Sequence, residues 1–256
     1  MKAWGTLLPL ALVAGSASVV GAETVVDTPL ETLSVARTAA AEDAFTPGLV
    51  HSRGAGRALA VGTTTYNGVA KKTTLDLSGE VDVWGPVRLV LRVDNLFDRG
   101  RPGVGAAVQF LDEARHGVSS SAYLVYKAEG FTEAEGEIEG LVSFGKQLGP
   151  LHGTLNLAYG QDPEAVERDG EIAVGLHLEP MAGLYTGVIG RFRDALGSNG
   201  DKATGVLRDT QAAATATYVI GNIGVTATAG LSAIKTVSAG ATQTGPSATL
   251  SVGTAF

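Results

Sequence analysis

Hydrophobic and polar residues alternate with a period of two through most of the chain after residue 56. In the segment 150–160, for example, Leu155 and Leu157 alternate with Thr154 and Asn156. Such alternation places successive side chains on opposite faces of a β-strand. The pattern predicts about twelve strands. These are 57–66, 73–83, 87–94, 102–111, 119–128, 136–146, 150–160, 170–179, 183–192, 208–219, 223–234 and 246–256.

The predicted strands are about ten residues long, which is enough for a tilted strand to cross a bilayer. The connections between them alternate in length. Segments such as 84–86 and 221–222 are tight, whereas 161–169, 193–207 and 235–245 are longer and polar. Short turns at one end and long loops at the other are typical of transmembrane barrels. The sequence therefore predicts an all-β fold, a transmembrane antiparallel up-and-down β-barrel with both ends of the barrel domain on the short-turn side.

The last predicted strand, 246–256, alternates cleanly and ends in the aromatic residue Phe256. This segment resembles the C-terminal signature of bacterial outer-membrane β-barrels, porins among them. The resemblance implies an outer-membrane location in a Gram-negative-type bacterium, with Phe256 as part of the membrane-insertion signal. It also implies three partners: the barrel-assembly machinery, outer-membrane lipid and lipopolysaccharide.

The chain before the barrel does not alternate. Residues 1–22 have a positive Lys2, a short apolar core and small residues before a cleavage point after Ala22 or Ala17, which predicts a secretory signal peptide. Residues 23–56 contain a helix signal over 29–45. This N-terminal segment is expected to be either a periplasmic tail or a short plug within the barrel, which would span 57–256.

Composition narrows the chemistry. The chain has no cysteine, which excludes disulfides, thiol catalysis and thiolate metal sites. Its net charge of −7, without basic blocks, argues against nucleic-acid binding. No serine-hydrolase or zinc-protease motif is present, and the four histidines do not form a metal-binding pattern. We therefore expect no enzyme activity, no cofactor and no metal.

Charged residues fall on the face of the strands that would line the barrel interior. Reflection about hairpin centres predicts that Asp82 lies opposite Arg88, and Lys127 opposite Glu137. It likewise places Glu171 opposite Arg191, and Asp169 opposite Arg193. Arg92 and Glu139 have no charged residue directly opposite. The candidates for pore-lining side chains are Arg92, Lys127, Glu137, Glu139, Glu171 and Arg191. These charges either stabilise the inner wall or form a selective constriction.

The long loops near 129–139 and 161–171 are rich in acidic residues. The candidates for an acidic outer mouth are Glu129, Glu133, Glu135, Asp162, Glu164, Glu167 and Asp169. Such residues form an ordinary solvated loop surface, a vestibule that concentrates cations, or a site for divalent ions bridging to lipopolysaccharide.

Three functions are compatible with the sequence. The first is a small porin or channel for ions or polar solutes. The second is a closed barrel with a structural role or an external binding role. The third is an outer-membrane hydrolase, for which His152 and His177 are the nearest candidates, although they are expected near the periplasmic end, where external substrates would not reach them.

Overall fold

The computed structural model describes residues 58–97, 100–111, 113–132, 135–163, 168–196, 206–220, 223–236 and 241–255. It contains twelve strands, one for each predicted segment. Their bounds are β1 Ala58–Asn67, β2 Lys72–Trp84, β3 Val87–Asp94, β4 Arg101–Leu111, β5 Ser119–Ala128, β6 Gly136–Leu148, β7 Leu151–Gln161, β8 Arg168–Met181, β9 Leu184–Ala195, β10 Val206–Ile220, β11 Ile223–Thr236 and β12 Thr242–Ala255.

The strands form one closed antiparallel barrel. Each strand pairs with its neighbours in sequence, and β1 pairs with β12 to close the sheet, with Leu59 opposite Ala255. Closure leaves no strand edge unpaired, which a sheet surrounded by hydrocarbon requires. The predicted fold class and strand number are confirmed.

The distribution of polarity is inverted relative to a soluble protein. Outward-facing side chains are large and apolar: Leu124 is 62% exposed and Leu176 is 48% exposed. Inward-facing charged side chains are almost completely buried, with Glu139 at 1% and Lys127 at 0%. An apolar band around a polar interior is the arrangement that a bilayer stabilises, because the hydrocarbon surrounds the apolar side chains and the charges stay inside.

The two ends of the barrel differ in their connections. Gly85, Gly149 and Gly183 lie in short turns and adopt left-handed φ angles of 51°, 62° and 75°, which glycine accommodates without a steric penalty. This end also carries a four-residue helix, α1 (Glu113–His116), and the start of β1. We call it the periplasmic end and the opposite one the outer end, following the usual orientation of such barrels.

Aromatic side chains lie on the barrel exterior near both ends. Trp84, Phe110 and Tyr218 are exposed at the periplasmic end. Those exposed at the outer end are Tyr66, Phe97, Tyr126, Tyr159 and Phe192. Two aromatic girdles at these levels are expected because aromatic rings favour the headgroup regions of a membrane.

The predicted register of the β8–β9 hairpin is wrong by two residues. Glu171 lies opposite Arg193, not Arg191, and Asp169 lies opposite Ala195. The prediction centred the turn on Met181, but the strands close at Met181 and Leu184, with an irregularity after Leu178. Pro180 falls within that irregularity, and its lack of a backbone N–H prevents regular pairing there.

Two predicted segments lie outside the described residues. They are the signal peptide, 1–22, and the N-terminal segment, 23–56. Phe256 also lies outside the described residues. Among the residues that the structure does describe, no helix is long and apolar enough to cross a membrane.

Candidate channel lumen

The barrel interior has two chemically distinct surfaces. We call the inward-facing side chains of β2–β9 the charged wall. We call those of β10–β12 and β1 the hydroxyl wall, because most of its polar groups are threonine and serine side chains. Each wall follows from the alternation of its strands, since every second residue faces inward.

The largest charged group lies in the outer half of β3–β6. Lys127, which is fully buried, contacts Glu139 and lies 3.4 Å from Glu137. Arg92 contacts Asp94 on its own strand and donates from Nη1 to Glu139 Oε2 at 3.0 Å. We call this network the β3–β6 charge cluster. Its members are Arg92, Asp94, Arg101, Lys127, Glu137 and Glu139.

Glycine makes the contact between Arg92 and Glu139 possible. The two residues lie on strands separated by β4 and β5, and neither has a charged residue directly opposite. Gly103 lies opposite Arg92 on β4, and a Cβ atom there would approach Arg92 Cγ to 2.9 Å. The missing side chain therefore leaves the space through which the guanidinium reaches across two strands.

A second network, the β8–β10 charge cluster, joins Arg191 and Arg193 to acids on both neighbouring strands. Arg193 donates from Nε to Asp169 Oδ2 at 3.1 Å. Arg191 contacts Asp209 and lies 3.9 Å from Glu171. Both ion pairs predicted for β8 and β9 are thus present, but as diagonal contacts rather than as directly opposed pairs.

The two clusters meet above Gly160 on β7. A Cβ atom at Gly160 would collide with the carboxylate of Glu137 and lie 3.2 Å from Asp169 Oδ1. Carboxylates from the two clusters therefore approach each other where β7 presents no side chain. The β3–β6 and β8–β10 charge clusters therefore adjoin each other across β7.

The periplasmic half of the charged wall has fewer charged side chains. Arg88 donates to Glu80 at 2.7 Å and lies 5.6 Å from the ring centroid of Tyr123. Asp82 lies directly opposite Arg88 in the register, as predicted. This group is separated from the β3–β6 charge cluster by an apolar patch of Val90, Ala107, Val125 and Leu141.

His152 and His177 are directly opposed on β7 and β8, near the periplasmic end. The ring of Tyr185 meets His152 edge to face, with centroids 5.6 Å apart. The nearest carboxylate, Glu179, lies 3.8 Å from His152 Nε2. Among the described residues no group of three or more histidines and acids could hold a metal ion.

The hydroxyl wall consists mainly of short side chains, whose hydroxyl groups pair between adjacent strands. The hydroxyl oxygens of Thr217 and Thr226 are 2.8 Å apart, and those of Thr215 and Thr228 are 3.2 Å apart. The Thr63 and Ser251 hydroxyls are 3.0 Å apart. The register extends these pairs into rows across several strands. The first row is Thr215, Thr228, Thr249, Thr65 and Thr74, and the second is Thr217, Thr226, Ser251 and Thr63.

The six pore-lining candidates all face the interior, and all belong to the two charge clusters. Of the mouth candidates, Glu129, Glu135 and Asp162 lie in outer-end loops, whereas Asp169 lies in β8 and pairs with Arg193. The remaining candidates are Glu133, Glu164 and Glu167, which lie outside the described residues.

Sequence reasoning missed three interior residues that matter here. Asp209 is fully buried and binds Arg191, and Tyr185 is buried beside His152. Arg101 lies 3.8 Å from Glu137. Asp209 lies an even number of residues from Thr215 and Thr217 and therefore on the same face of the strand. The alternation of strand 208–219 thus already indicated that Asp209 faces inward. The position of Arg101, at the first residue of β4, depended on a strand boundary that the sequence placed one residue later.

Comparison with solved structures supports this architecture. The NanC porin has a TM-score of 0.51 with this chain at 10% identity, covering 76% of this chain and 98% of the porin. The chain shares the closed β-barrel fold of this porin.

Two other solved structures give lower similarity to this barrel. A bacterial polysaccharide outer membrane secretin has a TM-score of 0.43 at 7% identity, covering 79% of this chain and 98% of the secretin. An anion-selective porin from Comamonas acidovorans has a TM-score of 0.39 at 9% identity, covering 78% of this chain and 98% of that porin. At these identities the similarity concerns the fold alone. No protein-family model and no curated protein matches the chain.

Proposed function

We propose that this barrel is a small porin of the bacterial outer membrane, passing small ions or polar solutes and performing no catalysis. The observation that carries the proposal is the inverted polarity, with exposed leucine and valine outside and charged or hydroxyl side chains inside. A barrel that only anchored a domain would not need a polar interior. A polar interior is what ions or polar solutes require to cross the hydrocarbon layer.

The proposed selectivity is for cations. Acidic side chains outnumber basic ones on the inward faces. In the β2–β3 hairpin, four carboxylates, those of Asp76, Glu80, Asp82 and Asp94, accompany the three bases Lys72, Arg88 and Arg92. Glu129, Glu135 and Asp162 add negative charge at the outer loops. A negative potential at the entrance raises the local concentration of cations and lowers that of anions.

A specific observation favours a second candidate, a closed barrel with a structural or external binding role. Most side chains of the two charge clusters are almost fully buried, Asp209 and Lys127 completely so. Charges that satisfy one another and exclude water do not conduct. The two candidates therefore make opposite predictions for ion conduction.

Single-channel recording in planar bilayers tests the proposal. Purified barrel in potassium chloride should give discrete conductance steps, whereas a closed barrel should give none. A variant in which Lys127 and Glu139 are both replaced by serine serves as a comparison, since it removes the most buried ion pair. Silence in both proteins would contradict the porin proposal.

The contribution of the outer loops to selectivity is tested separately. A triple variant with Glu129→Gln, Glu135→Gln and Asp162→Asn should lose part of its cation preference, measured as the reversal potential across a potassium chloride gradient. The effect should fade by about 1 M salt, where the screening length is roughly 3 Å. Glu179→Gln, at the periplasmic end, is the matched control. Equal selectivity in the triple variant and the native barrel would exclude the loops as the filter.

Location in the outer membrane is tested by deleting Phe256. Loss of the terminal aromatic residue should reduce the amount of folded, heat-modifiable protein in the outer-membrane fraction, because it is the proposed insertion signal. Tyr218→Ala, which removes an exposed aromatic ring of the periplasmic girdle, is the control for a general loss of aromatic surface. Normal assembly without Phe256 would refute its role.

A further inference from the structure

The hydroxyl wall is a continuous surface of hydrogen-bonding groups with almost no charge. Its first row runs through Thr215, Thr228, Thr249 and Thr65, each opposite the next in the register, and ends at Thr74 on β2. Among the described residues of β10–β12 and β1, Asp209 is the one charged side chain that faces inward. A solute that meets this wall meets hydroxyl groups.

These hydroxyls keep unused hydrogen-bonding capacity. A hydroxyl donates one hydrogen bond and accepts two. When each donates to its neighbour, as the 2.8 Å contact of Thr217 with Thr226 and the 3.0 Å contact of Thr63 with Ser251 indicate, an acceptor remains on most of them. The hydroxyl of a solute can take over such a contact because it both donates and accepts.

Two buried polar groups that face the interior, one at the edge of this surface and one across from it, have no hydrogen-bond partner among the described residues. One is the Thr74 hydroxyl at the end of the first row, and the other is the side-chain amide of Asn156. Both residues are 2% exposed and face inward. Asn156 lies on β7, six strands from β1 in a closed barrel of twelve, so it lies across the interior from the hydroxyl wall. Leaving such groups without a partner costs free energy, which a polar ligand would recover.

We propose that the interior binds and passes uncharged polyhydroxylated solutes, such as sugar alcohols and small sugars, along the hydroxyl wall. The inference rests on the proposed porin function and names its solute class. Asn156 and Thr74 supply the unpartnered donors and acceptors, and the threonine rows exchange bonds among themselves for bonds to the solute. An anion would find no cation on this wall and an acidic surplus opposite, whereas a neutral polyol loses no ionic hydration on entry.

Swelling of liposomes containing the full chain measures this preference. The two probes are sorbitol and tetraethylene glycol, which are similar in mass, but most oxygens of the second are ethers that cannot donate. We expect sorbitol to enter faster than tetraethylene glycol through the native barrel. The double variant Thr65→Val with Thr228→Val, which keeps side-chain shape and removes two hydroxyls, should lower that ratio about fivefold.

The control variant changes outward-facing residues. Thr64 lies next to Thr65 in the chain and Thr186 lies on β9, and both face away from the interior. Thr64→Val with Thr186→Val should leave the ratio unchanged. Thr65→Ser with Thr228→Ser, which keeps both hydroxyls, should restore it.

Potassium chloride conductance of the same proteins separates the possible failures. If every variant conducts but the ratio is the same in the native and inward double variants, the hydroxyl wall does not select the solute and the inference is overturned while the porin function stands. If the native barrel neither conducts nor admits either solute, the porin function itself fails and the inference fails with it. If the native barrel conducts and only the Thr65→Val with Thr228→Val variant has a lower ratio of sorbitol to tetraethylene glycol entry, both the porin function and the inference are supported.

Discussion

The charged wall and the hydroxyl wall line the same barrel, but their side-chain contacts span different numbers of strands. In the charged wall, Arg92 of β3 contacts Glu139 of β6 across two intervening strands, and the two charge clusters approach each other above Gly160. In the hydroxyl wall, the contacts between two hydroxyl groups join adjacent strands, as those of Thr217 and Thr226 do on β10 and β11. Long side chains thus link distant strands, whereas short ones link nearest neighbours.

The difference shows what each wall demands of the backbone. Long ionic side chains need space, which Gly103 and Gly160 provide by lacking a Cβ atom. Short hydroxyl side chains need only the correct register. The walls should therefore respond differently to substitution.

The largest effect is expected in the β3–β6 charge cluster. Glu139→Gln would leave Lys127, which is fully buried, without its nearest carboxylate. Because an unpaired buried charge is costly, the free energy of unfolding should fall by about 3–5 kcal/mol. Urea unfolding in detergent, followed by the mobility difference between folded and unfolded protein, measures it. Glu135→Gln, in an exposed loop, should change stability by no more than about 0.5 kcal/mol. Equal effects would mean that the cluster is solvated.

The next effect concerns the space that the charged wall needs. Gly103→Ala would bring a methyl group to 2.9 Å from Arg92 Cγ and 3.3 Å from the Tyr126 carbonyl oxygen. Overpacking of this kind should cost about 1–3 kcal/mol. Gly140→Ala is the control, because its nearest neighbour would be a carbonyl oxygen at 4.0 Å. The same unfolding measurement applies, and a neutral Gly103→Ala would contradict the proposed role of this glycine.

A smaller effect distinguishes the observed β8–β9 register from the one predicted from sequence. In double-mutant cycles with alanine, Asp169 and Arg193, joined at 3.1 Å, should couple by about 1–2 kcal/mol. Glu171 and Arg191, 3.9 Å apart, should couple less strongly. In the register centred on Met181 both pairs would be directly opposed, so equal coupling of the two pairs would favour that register over the observed one.

The smallest effect is expected in the hydroxyl wall. Thr217→Val removes one hydroxyl from a contact of 2.8 Å and keeps the side-chain shape, so it should cost about 1 kcal/mol. The outward Thr186→Val should have no measurable cost. A loss at Thr217 comparable to that of Glu139→Gln would show that the hydroxyl rows act as one cooperative network, not as separate pairs.

The alternation of the sequence was sufficient to predict most of the barrel. The predicted ends of the strands differ from the observed ones by a few residues at most, and the inward face of each candidate, from Arg92 to Arg191, was assigned correctly. This succeeds because a period of two fixes which face a side chain occupies without reference to any other strand. The pair of His152 with His177 followed for the same reason, once two neighbouring strands had the correct offset.

What the sequence could not determine was the full set of contacts among these charges. The pairing of Arg92 with Glu139 depends on the registers of three successive strand pairs and on the absence of a side chain at Gly103. The contact of Arg191 with Asp209 depends on the register of β9 with β10, in which Asp209 lies opposite Arg193. Parity is a local property of each strand, but the meeting of long side chains depends on how several strands are offset and on the space between them, and only the closed barrel fixes both.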